Sequence, residues 1–168
     1  MDEARVGQKG RTARRWWVRG KRPAGTCDQR FASAYIFGAA RAGTDEAFAL
    51  VLPFVSTAAM QTWLDDFAAT LAPNVHAALV LDRVGWHRAA SLTVPPNVTL
   101  VPLPPYAPEL NPIERVWLYL RERYLSHRVL ADYDAVVDPC CHAWNALRAE
   151  PGRTASLTSY SYIERVSA

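Results

Sequence analysis

Three acidic residues, Asp2, Asp82 and Glu114, stand where a folded chain could bring carboxylates to one place. Asp2 begins a strand-like segment. Asp82 follows the apolar run Ala77 to Leu81, which reads as a strand buried on both faces. The carboxyl end of such a strand is where open α/β sheets place their sites. Glu114 falls in the first turn of a helix delivered by a proline-rich loop. Side chains alternate faces along a strand, so Asp2 and Glu3 cannot both enter one cluster. Converging carboxylates repel one another and raise their own pKa values unless a cation neutralises them. Hard oxygen ligands favour Mg²⁺ or Mn²⁺, and two such ions about 3.5–4 Å apart support displacement at a phosphodiester. The chemistry indicated is phosphoryl transfer on nucleic acid.

Each residue also has a plainer role open to it. An acid after a strand is often a loop residue or a cap. With Asn111 as N-cap, Glu114 occupies the third helical position of a capping box, where it could bind the Asn111 backbone N–H. His87, five residues beyond Asp82, reads first as a structural hydrogen-bonding residue.

The elements that must position these acids are short. Arg14 to Arg19, Tyr35 to Ala40 and Ala47 to Leu52 read as strands, and Val98 to Val101 as a partner for Ala77 to Leu81. From Ser56, a suitable N-cap, Met60, Trp63, Leu64, Phe67 and Leu71 form the stripe of an amphipathic helix ending before Pro73. A short helix is expected over Arg88 to Leu92. Four prolines in Pro102 to Pro108 preclude regular structure and make a stiff loop. Pro112 suits the first position of the next helix, whose apolar stripe is Ile113, Val116, Trp117, Leu120 and Tyr124. A further helical stripe runs from Tyr133 to Leu147, with Pro139 expected to start or kink it, and the signals fade beyond Glu150. The order implies an α/β fold, a mixed sheet flanked by helices.

The chain has 168 residues, half of them apolar, which suits one domain and excludes wholesale disorder. No apolar run approaches the ~20 residues that span a bilayer, and no secretory signal opens the chain, so a cytoplasmic protein without membrane association is expected. Cys27, Cys140 and Cys141 form no CxxC and are expected to be reduced and buried. Residues 1–30 hold nine Lys/Arg against three acids, whereas the remainder is net negative. Arg5, Lys9, Arg11, Arg14, Arg15, Arg19, Lys21 and Arg22, interleaved with Trp16 and Trp17, would suit phosphate contact beside stacking faces; a solvated hairpin is the alternative.

Two motifs, LVLDRVGWH at 79–87 and LPPYAPELNPIERVW at 103–117, closely resemble the DDE transposases of bacterial insertion sequences in the Tc/mariner-like superfamily. MDEARVGQKG at 1–10, RRWWVRGKRP at 14–23 and AYIFGAA at 34–40 extend the similarity over nearly the whole chain. The resemblance implies an RNase H-like catalytic domain over residues 1–150 and a C-terminal tail over 151–168. It implies that Asp2, Asp82 and Glu114 form a triad holding two Mg²⁺ or Mn²⁺ ions, with His87, Tyr106 and Asn111 in supporting positions. Thirty-one residues separate Asp82 from Glu114, near the spacing of these relatives. The activity implied is DNA strand cleavage and strand transfer in a bacterial, nucleoid-associated setting. The partners implied are transposon ends, target DNA, and a homodimer or a full-length transposase. Helix-turn-helix segments usually precede this domain, so a chain truncated at its N-terminus is expected. A chain that only binds nucleic acid or the full-length enzyme, and a stand-alone RNase H-like nuclease, are the alternatives.

Overall fold

The computed structural model describes residues 1–9, 17–21, 30–87, 89–105, 107–126 and 128–160. Strand β1 (Asp2–Gly7) pairs antiparallel with β2 (Ser33–Ala40), and β2 pairs antiparallel with β3 (Ala47–Leu52). Helix α1 (Thr57–Thr70) follows, then the parallel pair β4 (Ala77–Leu81) and β5 (Val98–Pro102). Helices α2 (Ile113–Leu120), α3 (Asp134–Arg148) and α4 (Arg153–Thr158) complete the chain, with a π-helical turn, Arg121–Leu125, continuing α2.

Alternation along β2 builds a three-layer arrangement. Ile36 and Phe37 are neighbours in sequence and face opposite sides of the sheet. Phe37 packs with Met60, Trp63 and Leu64 of α1, as well as Leu79 and Leu81 of β4. Ile36 packs with Ala4 beneath Ile113, Val116, Trp117 and Leu120 of α2 and Cys140, Trp144 and Leu147 of α3. Burying an apolar side chain of this size contributes about 1.5–3 kcal/mol, so both helical layers are secured to the central strand. Ser56 caps α1 as its sequence suggests, its side chain accepting the Ala59 N–H at 3.0 Å.

Several elements differ from the sequence reading. The first strand is Asp2–Gly7; of the segment expected as a strand over 14–19, residues 14–16 lie outside the described residues and Trp17–Arg19 form none. The hydrogen-bonded ladders make a three-stranded and a two-stranded sheet rather than one mixed sheet. Just before β1, the Met1 ammonium donates to Val80 O of β4 at 2.7 Å. Of the helix expected over 88–92, Arg88 lies outside the described residues and residues 89–92 are not helical, while a 3₁₀ turn covers Gly85–His87. Another 3₁₀ turn, Pro108–Leu110, lies within the proline loop. Pro139 lies inside α3 rather than at its start. The segment read as a tail begins with α4, whose Thr154 and Thr158 are buried because both face the α2–α3 layer. Cys140 is buried and free, but Cys141, one residue on, turns to solvent; Cys27 lies outside the described residues. No helix among the described residues is long and apolar enough to cross a membrane.

Candidate active site

Asp2, Asp82 and Glu114 line a single cleft of about 370 Å³, together with Arg83, Asn111 and a wall formed by Pro104, Pro105 and Pro108. Each acid arrives from a different element. β1 pairs with β2 so that Asp2 stands opposite Gly38. That glycine leaves room for the Trp117 ring, since a Cβ at residue 38 would lie 2.5 Å from its Cη2 atom. The indole thereby reaches over the sheet, and Trp117 Nε1 donates to Asp2 Oδ2 at 2.9 Å. Burial, reinforced by the charge of Glu114, pushes the Asp2 carboxyl up to about 7, against the lowering effect of the Glu3 backbone N–H and the indole.

Asp82 leaves the end of β4. Its Oδ1 accepts the Val84 N–H at 3.2 Å and lies 2.9 Å from His87 Nδ1, while its side chain remains 45% exposed. The other ring nitrogen of His87, Nε2, lies 2.7 Å from Glu3 Oε1, and that acid's side chain is only 6% exposed. Strand alternation therefore holds: Asp2 faces α2, and Glu3 faces the opposite side. Burial alone would lower the His87 pKa, but the hydrogen bond and charge of Glu3, with the charge of Asp82, raise it above the ordinary histidine value. The His87 ring is buried between these two acids.

Glu114 lies on the exposed side of the first turn of α2. The capping-box alternative fails. The Asn111 N–H donates to Pro108 O at 2.9 Å, and the Asn111 side chain donates to Met1 O at 3.3 Å instead of capping α2. The carboxylate is free of that duty, and α2 is tied to the start of β1 by both Asn111 and Trp117.

Three carboxylates facing a cleft, without a thiol or imidazole lining it, form a donor set that fits a hard divalent cation. Burial first, and then the like charge of Glu114, raise the Asp2 pKa, and a cation held between these carboxylates would oppose both effects. The set is not a closed cage: among the described residues no three His, Cys, Asp or Glu side chains converge as a ready metal site, because Asp82 is held toward His87.

The basic segment divides. Arg5, Lys9, Arg19 and Lys21 are exposed, as is Trp17, and Lys9 Nζ lies 5.4 Å over the Phe31 ring. Arg11, Arg14, Arg15, Arg22 and Trp16 lie outside the described residues, as does Tyr106 of the proline loop. Arg30 has a structural part, its guanidinium donating to Leu130 O and Ala131 O at 2.8 and 2.7 Å beside Gln8. The sequence reading missed Glu3, Gly38, Arg83 and Trp117 as parts of the site. Trp117 was legible only as a core residue, and nothing in the spacing marks Glu3 as the partner of His87.

Comparison with known proteins identifies a family and a fold. The DDE superfamily endonuclease family matches residues 1–137. An uncharacterized protein of Sinorhizobium fredii (strain NBRC 101917 / NGR234), y4pE/y4sA, is 45% identical over 132 residues, 79% of this chain and 98% of that protein. Among solved structures, the Mos1 strand transfer complex aligns with a TM-score of 0.63 at 15% identity, over 94% of this chain and 49% of the other. The Mos1 transposase paired-end complex with left transposon end aligns with a TM-score of 0.65 at 16% identity, over 92% and 48%. The chain thus spans about half the length of those solved chains, and the shared part is their RNase H-like fold. With its acids on β1, after β4 and at the start of α2, the chain belongs to the DDE superfamily endonuclease family.

Proposed function

We propose that this chain is the catalytic domain of a DNA transposase, with Asp2, Asp82 and Glu114 as ligands for two Mg²⁺ or Mn²⁺ ions. The observation that carries the reading is the shared cleft: three acids remote in sequence, in a chain of this family, line one cavity. Ions bound there would supply the positive charge needed for attack on phosphorus and departure of the leaving oxygen. The protein's own contribution is placement. Trp117 orients Asp2, His87 and the Val84 N–H orient Asp82, and the proline arm with Asn111 sets the start of α2 against β1. Such fixed positioning is what catalytic ligands require. Two Mos1 structures, a strand transfer complex and a paired-end complex, support extending the reading to strand transfer at transposon ends.

Nicking of supercoiled plasmid with Mn²⁺ tests the proposal. The parent nicks, and Asp82→Ala and Glu114→Ala fold but do not. Equal nicking by parent and variants refutes the assignment. A second reading, a chain that binds nucleic acid or associates with a full-length transposase without catalysis, draws on the open arrangement of Asp82. It requires DNA retention with no metal-dependent nicking by the parent.

A further inference from the structure

Arg83 is a cation lining a cleft of three carboxylates, yet it forms no ion pair with any described residue. An arginine beside acids ordinarily turns to one of them. Here Nε donates instead to Leu103 O at 2.8 Å. Leu103 is itself fixed, because its N–H donates to Leu81 O at 2.8 Å and continues the β4–β5 ladder. One edge of the guanidinium is thus anchored to the sheet at the foot of the proline arm. The donors on its two terminal nitrogens remain for a ligand at the cleft mouth. Asp82 and Arg83 leave the same turn, which the Val84 N–H closes onto Asp82 Oδ1. The positive group therefore lines the same cleft as the acids, held by Leu103 O.

We infer that Arg83 is a phosphate-binding residue, gripping a DNA backbone phosphate next to the one that enters the acidic cleft. The inference rests on the proposed function and adds a substrate contact to it. A guanidinium presents a planar fork that matches phosphate oxygens two at a time. A polyanion approaching three carboxylates needs a positive group that those carboxylates have not already neutralised. Pro104 and Pro105, which line the cleft directly after the Leu103 that Arg83 bonds, offer apolar surface suited to the sugar faces of the strand that Arg83 holds. A lysine at 83 would keep the charge but could not bond Leu103 O and fork onto phosphate together.

The test is binding of a fluorescent DNA duplex across a KCl series, with Ca²⁺ in place of Mn²⁺, for the parent, Arg83→Gln and Arg83→Lys. Arg83→Gln should weaken binding about tenfold at low salt and reduce the slope of log Kd against log salt by about one. Arg83→Lys should keep the slope and lose part of the affinity. Parental affinity and slope in Arg83→Gln overturn the inference, as does weaker binding with an unchanged slope, because a phosphate contact must release a counterion. Nicking distinguishes this from the parent proposal. Asp82-dependent nicking with an Arg83-independent slope sinks only the phosphate contact. An Arg83-dependent slope without any nicking sinks only the catalytic assignment.

Discussion

Gly38→Ala places one methyl group where the structure has no room for it, and the consequence should be read at Asp2, on the neighbouring strand. The added Cβ would lie 2.5 Å from Trp117 Cη2, and 3.3 Å from both Trp117 Cζ2 and Trp144 Cη2. Carbon atoms rest at about 3.5–4.0 Å, so the indole must withdraw by about 1 Å. It has little freedom to do so, being 4% exposed with the Trp144 ring centroid 6.1 Å away. Overpacking of this kind costs about 1–3 kcal/mol. The same withdrawal carries Nε1 from 2.9 Å to about 4 Å from Asp2 Oδ2, beyond hydrogen-bond range. A hydrogen bond to a charged group contributes about 1.5–3 kcal/mol and favours the ionised carboxylate. Its loss should therefore raise the Asp2 pKa by about one to two units from its value of about 7.

Carboxyl ¹³C NMR titration of Asp2 reads that shift directly, with thermal unfolding alongside. Trp117→Phe is the companion variant, since it removes the donor without adding bulk at residue 38. Both variants should move the titration upward, and Gly38→Ala should also lower the Tm by several degrees. If Gly38→Ala melts early but keeps the parental Asp2 titration, then Trp117 serves only as packing and its role in orienting the acid is wrong.

Two further outcomes follow from the same electrostatics. The folded Asp2 carboxyl holds its proton to about pH 7, whereas an unfolded one releases it near pH 4; stability should fall as pH rises between those values. Asp2→Asn should accordingly melt with the parent near pH 4 and above it at about pH 8, and Mn²⁺ at pH 8 should raise the parent's Tm more than the variant's; a pH-independent difference between them contradicts the assigned cause. His87→Phe should cost about 3–5 kcal/mol in urea unfolding, because Glu3 is left buried with the Trp86 indole N–H, at 3.4 Å, as its remaining described donor. Most of that cost should return in the Glu3→Leu/His87→Phe double variant, and a single-variant cost below about 1 kcal/mol would mean the pair behaves as an exposed ion pair.

What was legible in the sequence was whatever depends on period and punctuation. The stripe through Met60, Trp63 and Leu64 and the Ser56 cap give α1, and the apolar run before Asp82 gives β4, because both signals are local. The split of the sheet into two ladders was not legible. It depends on how β1 lies beside β4, where Met1 bonds Val80 O without a ladder forming, and no local pattern records how far two distant strands overlap. Asn111 illustrates the same limit. Its residue type suits an N-cap, but Met1 O, 110 positions away, takes the side chain instead. The three acids were readable as candidates one at a time. Gly38 and Trp117, which support Asp2, were not, since one resembles any strand glycine and the other any core aromatic.

The supports behind the acids are unequal, and that inequality bears on how the site would close around cations. Asp2 and Asp82 are each held from behind by a ring nitrogen, that of Trp117 or of His87. Glu114 has no such tether among the described residues, so α2 alone sets its place. For Asp82 the support is also a competitor. His87 lies between Glu3 and Asp82, and both acids raise its pKa, so in its protonated form the ring is a positive partner that competes with a divalent ion for Asp82. Asp82 is nearly half exposed, so a turn of its side chain toward the cleft needs no movement of β4. On the proposed function, completing the triad is then an exchange of counter-cations at one carboxylate, with the Glu3–His87 pair left intact behind it. The exchange places the energetic cost of closure on the Asp82–His87 contact rather than on the backbone of the sheet.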